Sequence, residues 1–161
     1  MFHILNNKMR RKDKEIKDTS EIDDILKKNN VCHLALSNND EPYTVTMHYG
    51  YEAGALYLHS AGQGRKIDMI KKNAKVCFQV VDSVEIIRKE KACNFTSKYR
   101  SVVGNGKASI LEGVEEKRAG LLVMVNQITG TKDWDIPNIA IDHMNILKIE
   151  IENMSGKKSG F

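Results

Sequence analysis

The sequence has few of the residues that mark a secreted, disulfide-rich or membrane-spanning protein. It contains three cysteines and two prolines in 161 residues, and an odd number of irregularly spaced cysteines does not predict a disulfide framework. No run approaches the roughly 18 apolar residues that a membrane-spanning helix needs. Residues 1–14 also lack the apolar stretch of a signal peptide. We therefore expect reduced thiols, no membrane partner and a cytoplasmic location.

Sequence motifs for metal ions and nucleotides are also missing. The cysteines and histidines show neither C-x-x-C nor H-x-x-x-H spacing, so we predict no metal site. Neither a Walker loop nor the G-x-G-x-x-G motif of dinucleotide-binding proteins is present. Cys77 lies between two apolar residues, as a buried thiol would, and Cys93 has no recognisable base beside it.

What remains is the composition of one globular domain. Hydrophobic residues make up 41% of the chain and charged residues 29%, and a chain of this length usually forms one core. Much of the net charge of +4 comes from the two ends of the chain, so nucleic acid is not an expected partner, and a basic nucleic-acid-binding barrel stays an alternative. We expect a basic arm at residues 1–15, a domain at 16–155 and a flexible tail at 156–161.

Hydrophobic periodicity predicts short antiparallel strands with a few helices. The spacing of Ile22, Ile25 and Leu26 predicts a first helix, with Ser20 as its N-cap. Alternation of apolar and polar residues then predicts strands at 31–37, 43–50, 55–60, 75–81, 99–111 and 145–154, and helices are predicted at 66–72 and 114–125. Six short strands with flanking helices suit a small β-barrel.

The second predicted strand has an unusually polar face. Because side chains alternate along a strand, Thr44, Thr46 and His48 lie on one side of it. One interpretation is a face that is simply exposed to solvent. The other is a row of hydrogen-bonding groups along a ring that needs both donors and acceptors, as a flavin does.

The segment from His59 to Lys66 has the features of an anion site. A strand runs through Gly62 and Gly64 into a helix that begins with Arg65 and Lys66. Exposed backbone N–H groups, the helix dipole and two cations would together suit a phosphate. The alternative is an ordinary loop before a solvated basic helix.

Several segments, in order along residues 9–155, resemble a known family. They are Met9–Ile16, Val31–Leu36, Tyr43–Tyr51, Leu56–Ala61, Gly64–Lys66, Val76–Phe78 and Tyr99–Gly106. Together they resemble the pyridoxamine 5′-phosphate oxidase-like flavoproteins, in the branch related to 5-nitroimidazole antibiotic resistance proteins. The resemblance implies a mainly β fold, a six-stranded antiparallel split β-barrel of the FMN-binding type. It also implies a homodimer with two FMN molecules held between its subunits.

The resemblance assigns roles to individual residues. The FMN-binding residues that it implies are Val45, Thr46, Met47, His48, His59, Ser60, Arg65, Lys66, Tyr99 and Ser101. In that branch a histidine at the position of His48 lies near the flavin ring, so His48 is the candidate catalytic residue. Trp134, the single tryptophan, would either cover a ring or pack on the barrel.

One departure from the family concerns the substrate. The ending Ile149–Ser155 lacks the Arg- and His-containing signature of the true pyridoxine phosphate oxidases, so vitamin B6 synthesis is not expected. We predict an FMN-dependent oxidoreductase that takes electrons from a small-molecule donor such as NADH or NADPH. Its acceptor would be a small aromatic compound such as a nitroimidazole. The alternative is a non-catalytic flavin- or haem-binding split-barrel protein.

Overall fold

The computed structural model describes residues 9–161. Its strands are β1 (Glu15–Ile16), β2 (Val31–Asn38), β3 (Glu41–Glu52), β4 (Ala55–Ala61), β5 (Lys75–Ile87), β6 (Thr96–Ile110) and β7 (Met144–Ser159). Its α-helices are α1 (Thr19–Lys28), α2 (Arg65–Lys72), α3 (Val114–Thr129) and α4 (Asn138–Asp142). Two short 3-10 turns, Lys12–Lys14 and Ala92–Asn94, complete the described secondary structure.

The β-sheet closes on itself. Around the ring the strand order is β7, β4, β3, β2, β5 and β6, and β6 pairs again with β7. All of these pairings are antiparallel, and the two-residue β1 adds to β7 outside the ring. The six-stranded antiparallel barrel is therefore confirmed. The short β1 was not predicted, because two residues carry no periodicity.

Alternate residues of each strand fill the barrel, and α1 closes one part of it. Ile22, Ile25 and Leu26 of α1 are buried, as their spacing predicts. The buried Tyr49 of β3 donates a hydrogen bond from its hydroxyl group to the Leu26 carbonyl at 2.7 Å. The predicted N-cap was wrong by two residues, because the carboxylate of Asp18 accepts the Ser20 N–H at 2.9 Å.

The barrel is split between β3 and β4. Their ladder runs only from Glu52–Ala55 to Tyr49–Leu58. Beyond that point residues 41–48 of β3 pair with β2, while residues 59–61 of β4 pair with β7. The opening between residues 41–48 and 59–61 is called the split below. Helix α2 follows directly after the β4 side of the split.

Several elements extend further than their side-chain patterns predict. Strand β5 continues past residue 81 and pairs with the 15-residue strand β6, so the two form a hairpin that ends near Ile87 and Thr96. Strand β7 reaches Ser159, opposite Tyr99 of β6, and not Met154 as predicted. Backbone pairing continues there although the side-chain alternation has ended. Helix α4 was missed because five residues are too few for a helical pattern.

Helix α3 crosses the sheet at Gly50, where a side chain would not fit. A Cβ atom at this position would lie 2.6 Å from the backbone of Met124. Helix and strand can approach this closely only because glycine has no side chain. Helix α3 therefore packs on the part of β3 that pairs with β4. It does not cover residues 41–48 in the same way.

A buried carboxylate connects α1 with the β5–β6 hairpin. The side chain of Asp82 is 0% exposed, and its oxygens lie 2.7 Å from Arg100 Nη2, 3.3 Å from Lys28 Nζ and 3.1 Å from Asn29 Nδ2. Burial alone would raise the pKa of Asp82, but the hydrogen bonds from these three partners lower it below its ordinary value.

We expect Asp82→Asn to lower the free energy of unfolding by about 1.5–3 kcal/mol at neutral pH, because it removes the only ion-pair partner that Lys28 has among residues 9–161 and the nearer of two partners of Arg100. A carboxylate with a depressed pKa stabilises the fold fully at pH values above its unfolded-state pKa. This stabilisation is lost as the pH falls through its folded-state pKa. The difference between wild type and variant should therefore shrink below about pH 4. Urea unfolding at pH 7 and at acidic pH measures this, with Asp24→Asn in α1 as the exposed control. A difference that is independent of pH would contradict the prediction.

Candidate functional site

Strand β3 presents its polar face to the outside along the split. Thr44, Thr46 and His48 are exposed, as the alternation predicts. Met47 is buried in the core and Val45 packs against it. Of the four predicted FMN-binding residues on β3, Thr46 and His48 thus expose their side chains, and Val45 and Met47 can offer mainly their backbone.

In the described part of the chain, no strand pairs with the edge of β3 that faces the split. Residues 41–48 pair with β2 on one side only, and the ladder with β4 does not extend to them. Such an edge presents unpaired N–H and C=O groups at alternate residues. It can therefore hydrogen-bond a planar ligand that carries both donors and acceptors along its rim.

The loop on the opposite side of the split is held by Asn145 of β7. The Asn145 side-chain amide donates to the carbonyl groups of Ala61 and Gly62, at 3.3 Å and 2.9 Å. In a trans peptide the carbonyl and the following N–H point in opposite directions. The N–H groups of Gly62 and Gln63 therefore point away from Asn145, and the positions of Gly62 and Gly64 have open space around them.

Helix α2 begins at this loop, and no side chain of residues 9–161 caps its start. Gly64 is its N-cap, and the first helical hydrogen bond runs from the Asp68 N–H to the Gly64 carbonyl at 3.1 Å. The N–H groups of residues 65–67 precede that bond and have no helical partner. Gly64 has φ +131°, a conformation that side chains rarely allow. Together with the N–H groups of the loop, these N–H groups can donate to an anion.

Two further predicted residues of this region are partly or fully buried. Ser60 is 4% exposed and donates to the Ala61 carbonyl at 3.2 Å, so its hydroxyl group is used within the loop. Lys66 is half-buried, and burial lowers the pKa of its amino group. Lys66 makes no ion pair with any of residues 9–161. A bound anion would supply the missing counter-charge. His59 is exposed on the β4 side of the split.

Arg65 bridges the split. Its Nη2 donates to Glu41 Oε1 at 2.7 Å, and its guanidinium carbon lies 4.6 Å from the centroid of the Tyr43 ring. Both partners belong to the start of β3. The contacts that Glu41 and Tyr43 make with Arg65 could not be predicted from the sequence, because neither residue forms a recognisable motif with Arg65.

Tyr99 and Ser101 lie apart from the split. They belong to β6, which is separated from β3 by β2 and β5, and strands are about 4.8 Å apart. Both line a separate cavity of about 370 Å³ on the outside of the barrel, together with Val81, Val84 and Lys157. Within one chain the structure therefore places six of the ten predicted FMN-binding residues on the two strands beside the split and two, Arg65 and Lys66, at the adjoining start of α2, and it leaves Tyr99 and Ser101 elsewhere.

Other candidate groups do not form a second reactive centre in the described part of the chain. Cys32 is buried, Cys77 is half-buried and Cys93 is exposed, and all three are free thiols. No cluster of three or more His, Cys, Asp or Glu side chains within residues 9–161 could hold a metal ion. Trp134 is 53% exposed and donates to Thr129 Oγ1 at 3.3 Å, so it is held against the end of α3. None of the described helices is long and apolar enough to cross a membrane.

Solved structures with the same fold include flavin-binding proteins. A candidate 5-nitroimidazole antibiotic resistance protein from Bacteroides thetaiotaomicron VPI-5482 is 28% identical over 89% of this chain and 85% of its own, with a TM-score of 0.79. The flavocytochrome Anf3 from Azotobacter vinelandii is 18% identical over 95% and 72% of the two chains, with a TM-score of 0.82. The FAD and heme binding protein from Mycobacterium smegmatis is 16% identical over 92% and 74%, also with a TM-score of 0.82. Because these last two proteins are less than 20% identical to the chain, their similarity shows its fold and not what it binds.

At the level of sequence, no curated protein matches the chain. The family model described as pyridoxamine 5′-phosphate oxidase, however, matches residues 18–158, which is most of the chain. The match includes both sides of the split, the α2 loop and the strands that close the barrel. The resemblance seen in the sequence is thereby confirmed, and the chain belongs to the pyridoxamine 5′-phosphate oxidase family of split β-barrel proteins.

Proposed function

We propose that the protein is an FMN-dependent oxidoreductase that reduces a small aromatic acceptor, such as a nitroimidazole, with electrons from a nicotinamide or a similar donor. The observation that carries the proposal is the split. It combines a free strand edge and a polar strand face on one side with an uncapped helix start and two cations on the other. A flavin mononucleotide needs both kinds of surface, because its ring is rimmed by donors and acceptors and its chain ends in a phosphate.

The protein's own residues would bind and orient this cofactor. The backbone edge of β3 would hydrogen-bond the rim of the ring, and Thr46 would add its hydroxyl group. Arg65, Lys66 and the N–H groups of the loop would hold the phosphate. Bound FMN supplies the electron transfer itself. His48, exposed on the polar face, would give a proton to the acceptor as the acceptor is reduced.

A second copy of the chain would complete the site. Tyr99 and Ser101 lie too far around the barrel to reach the split of their own chain. Around them the hairpin exposes large apolar side chains, with Val84 66% exposed and Ile86 68% exposed. Exposed apolar clusters commonly mark protein interfaces. We propose a homodimer in which this outer face of β5 and β6 packs on the partner and brings its Tyr99 and Ser101 toward the other FMN.

We expect light scattering at micromolar concentration to give a mass of twice the 18.2 kDa chain. Changing both Val84 and Ile86 to lysine should give a monomer, because burial of four added charges in a homodimer interface is unfavourable. Ile139→Lys is the matched control, since Ile139 is 70% exposed in α4, outside the proposed interface. A wild-type monomer that still binds flavin would contradict the proposed dimer.

The absorption spectrum of the purified protein tests the cofactor and its reactivity together. A flavin spectrum that bleaches with NADH or NADPH and returns with 2-methyl-5-nitroimidazole is the expected result. Release of the pigment and its separation by chromatography distinguish FMN from FAD. A flavin that no nicotinamide reduces and no acceptor reoxidises would contradict the proposed reductase. A Soret band would instead identify a haem protein.

A further inference from the structure

Arg65 already has two partners of different kinds in the structure. The ring of Tyr43 lies under its guanidinium group, and the carboxylate of Glu41 accepts one of its N–H groups. Tyr43 is half-buried and packs against the barrel core, so its position does not depend on Arg65. Glu41 lies at the first residue of β3, and its side chain is 70% exposed, so it can turn away into water.

The two partners differ in what they do to a phosphate at Arg65. An aromatic ring attracts a guanidinium through its face and leaves the N–H groups at the rim free to donate to an anion. A carboxylate uses the same N–H groups that a phosphate needs, and its charge repels the phosphate. Tyr43 is therefore compatible with a bound phosphate, and Glu41 competes with it.

We propose that Glu41 is a built-in competitor of phosphate for Arg65, and that Tyr43 is a positioning residue that keeps the guanidinium group at the start of α2. In the absence of ligand Arg65 pairs with Glu41, and the phosphate of a bound flavin displaces that carboxylate. The pair thus determines how strongly the protein prefers a phosphorylated flavin over an unphosphorylated one. This inference rests on the proposed function, because it takes Arg65 as a ligand of the FMN phosphate.

The test compares FMN with riboflavin, which differs from it only by the phosphate. The flavin-free full-length protein is titrated with each, and the quenching of flavin fluorescence gives two dissociation constants. Glu41→Gln should tighten FMN binding about two- to fivefold, as expected for an exposed ion pair. Tyr43→Leu should weaken FMN binding by a similar factor, about two- to fivefold, while Tyr43→Phe should bind FMN as wild type does. Riboflavin affinity should stay the same in all three variants.

Glu52→Gln is the matched control for Glu41→Gln. Glu52 is the last residue of β3, is also exposed, and pairs with Lys132 away from the split. Its loss should leave both dissociation constants unchanged. An equal tightening in this variant would show that net charge, and not competition for Arg65, is responsible, and would overturn the proposal.

The controls also separate this inference from the proposed function. If Arg65→Gln weakens FMN binding but Glu41→Gln and Tyr43→Leu do not change it, the phosphate site stands and the inference is wrong. If wild type binds FMN and riboflavin equally, the phosphate is not recognised at Arg65, and the proposed site and the inference both fail. A change in riboflavin affinity that matches the change in FMN affinity would also overturn the inference, because it would place the effect on the ring.

Discussion

Replacing His48 by alanine is expected to lower the turnover of a nitroaromatic acceptor about 10²–10⁴-fold, while the variant remains a folded, yellow dimer. His48 is exposed on the polar face of β3, beside the strand edge along which the flavin ring is proposed to lie. Imidazole is the side chain best suited to giving and taking protons near neutral pH. Its removal should slow proton transfer without removing a contact of the core.

The measurement is acceptor reduction per mole of bound FMN, so that any loss of cofactor does not appear as a loss of rate. His143→Ala is a suitable control, because His143 is also exposed but lies at the end of α4. A histidine with a purely structural role would give the opposite result. FMN retention or stability would fall first, and turnover per bound flavin would remain near the wild-type value. That result with every acceptor would remove His48 from the proposed mechanism.

The position of His48 could be predicted from the sequence because it depends on local geometry alone. Side chains alternate along any strand, so the exposed row with Thr44 and Thr46 follows once β3 is recognised. The glycines before α2 were predictable for a similar reason, since a strand, two glycines and a basic helix start are contiguous in the sequence. Both predictions needed no knowledge of which strands are neighbours.

The partners that hold this site could not be predicted, because they depend on chain folding over long distances. Asn145 lies 83 residues from Gly62, whose carbonyl it holds, and an isolated asparagine at the start of a strand carries no signal of such a role. The split itself is a property of strand pairing, since β3 and β4 are joined by a tight turn and still separate after four residue pairs. The roles of Tyr99 and Ser101 were also beyond prediction from the pattern of residues along the chain. Their proposed contact with FMN requires a second chain, which no pattern within one chain describes.

Replacing Arg65 and Lys66 together by alanine is expected to weaken FMN binding at least about 100-fold. Hydrogen bonds from charged groups contribute about 1.5–3 kcal/mol each, so the loss of either cation alone should cost about ten- to a hundredfold in affinity. The two residues have different roles in this estimate. Arg65 is exposed and pairs with Glu41, whereas Lys66 is half-buried and has no ion-pair partner among residues 9–161.

Helix α2 provides its own control for this double variant. Lys71 and Lys72 lie in the last turn of the same helix and are exposed, so replacing both by alanine removes the same net charge at the opposite end. If the phosphate binds at the start of α2, the first pair of substitutions should weaken FMN binding and the second should leave it nearly unchanged. Riboflavin should bind all three proteins equally, because it lacks the phosphate. A double Arg65→Ala, Lys66→Ala variant that remains dimeric and binds FMN as tightly as wild type would mean that the phosphate lies elsewhere. The open loop at Gly62 and Gly64 would then need another explanation.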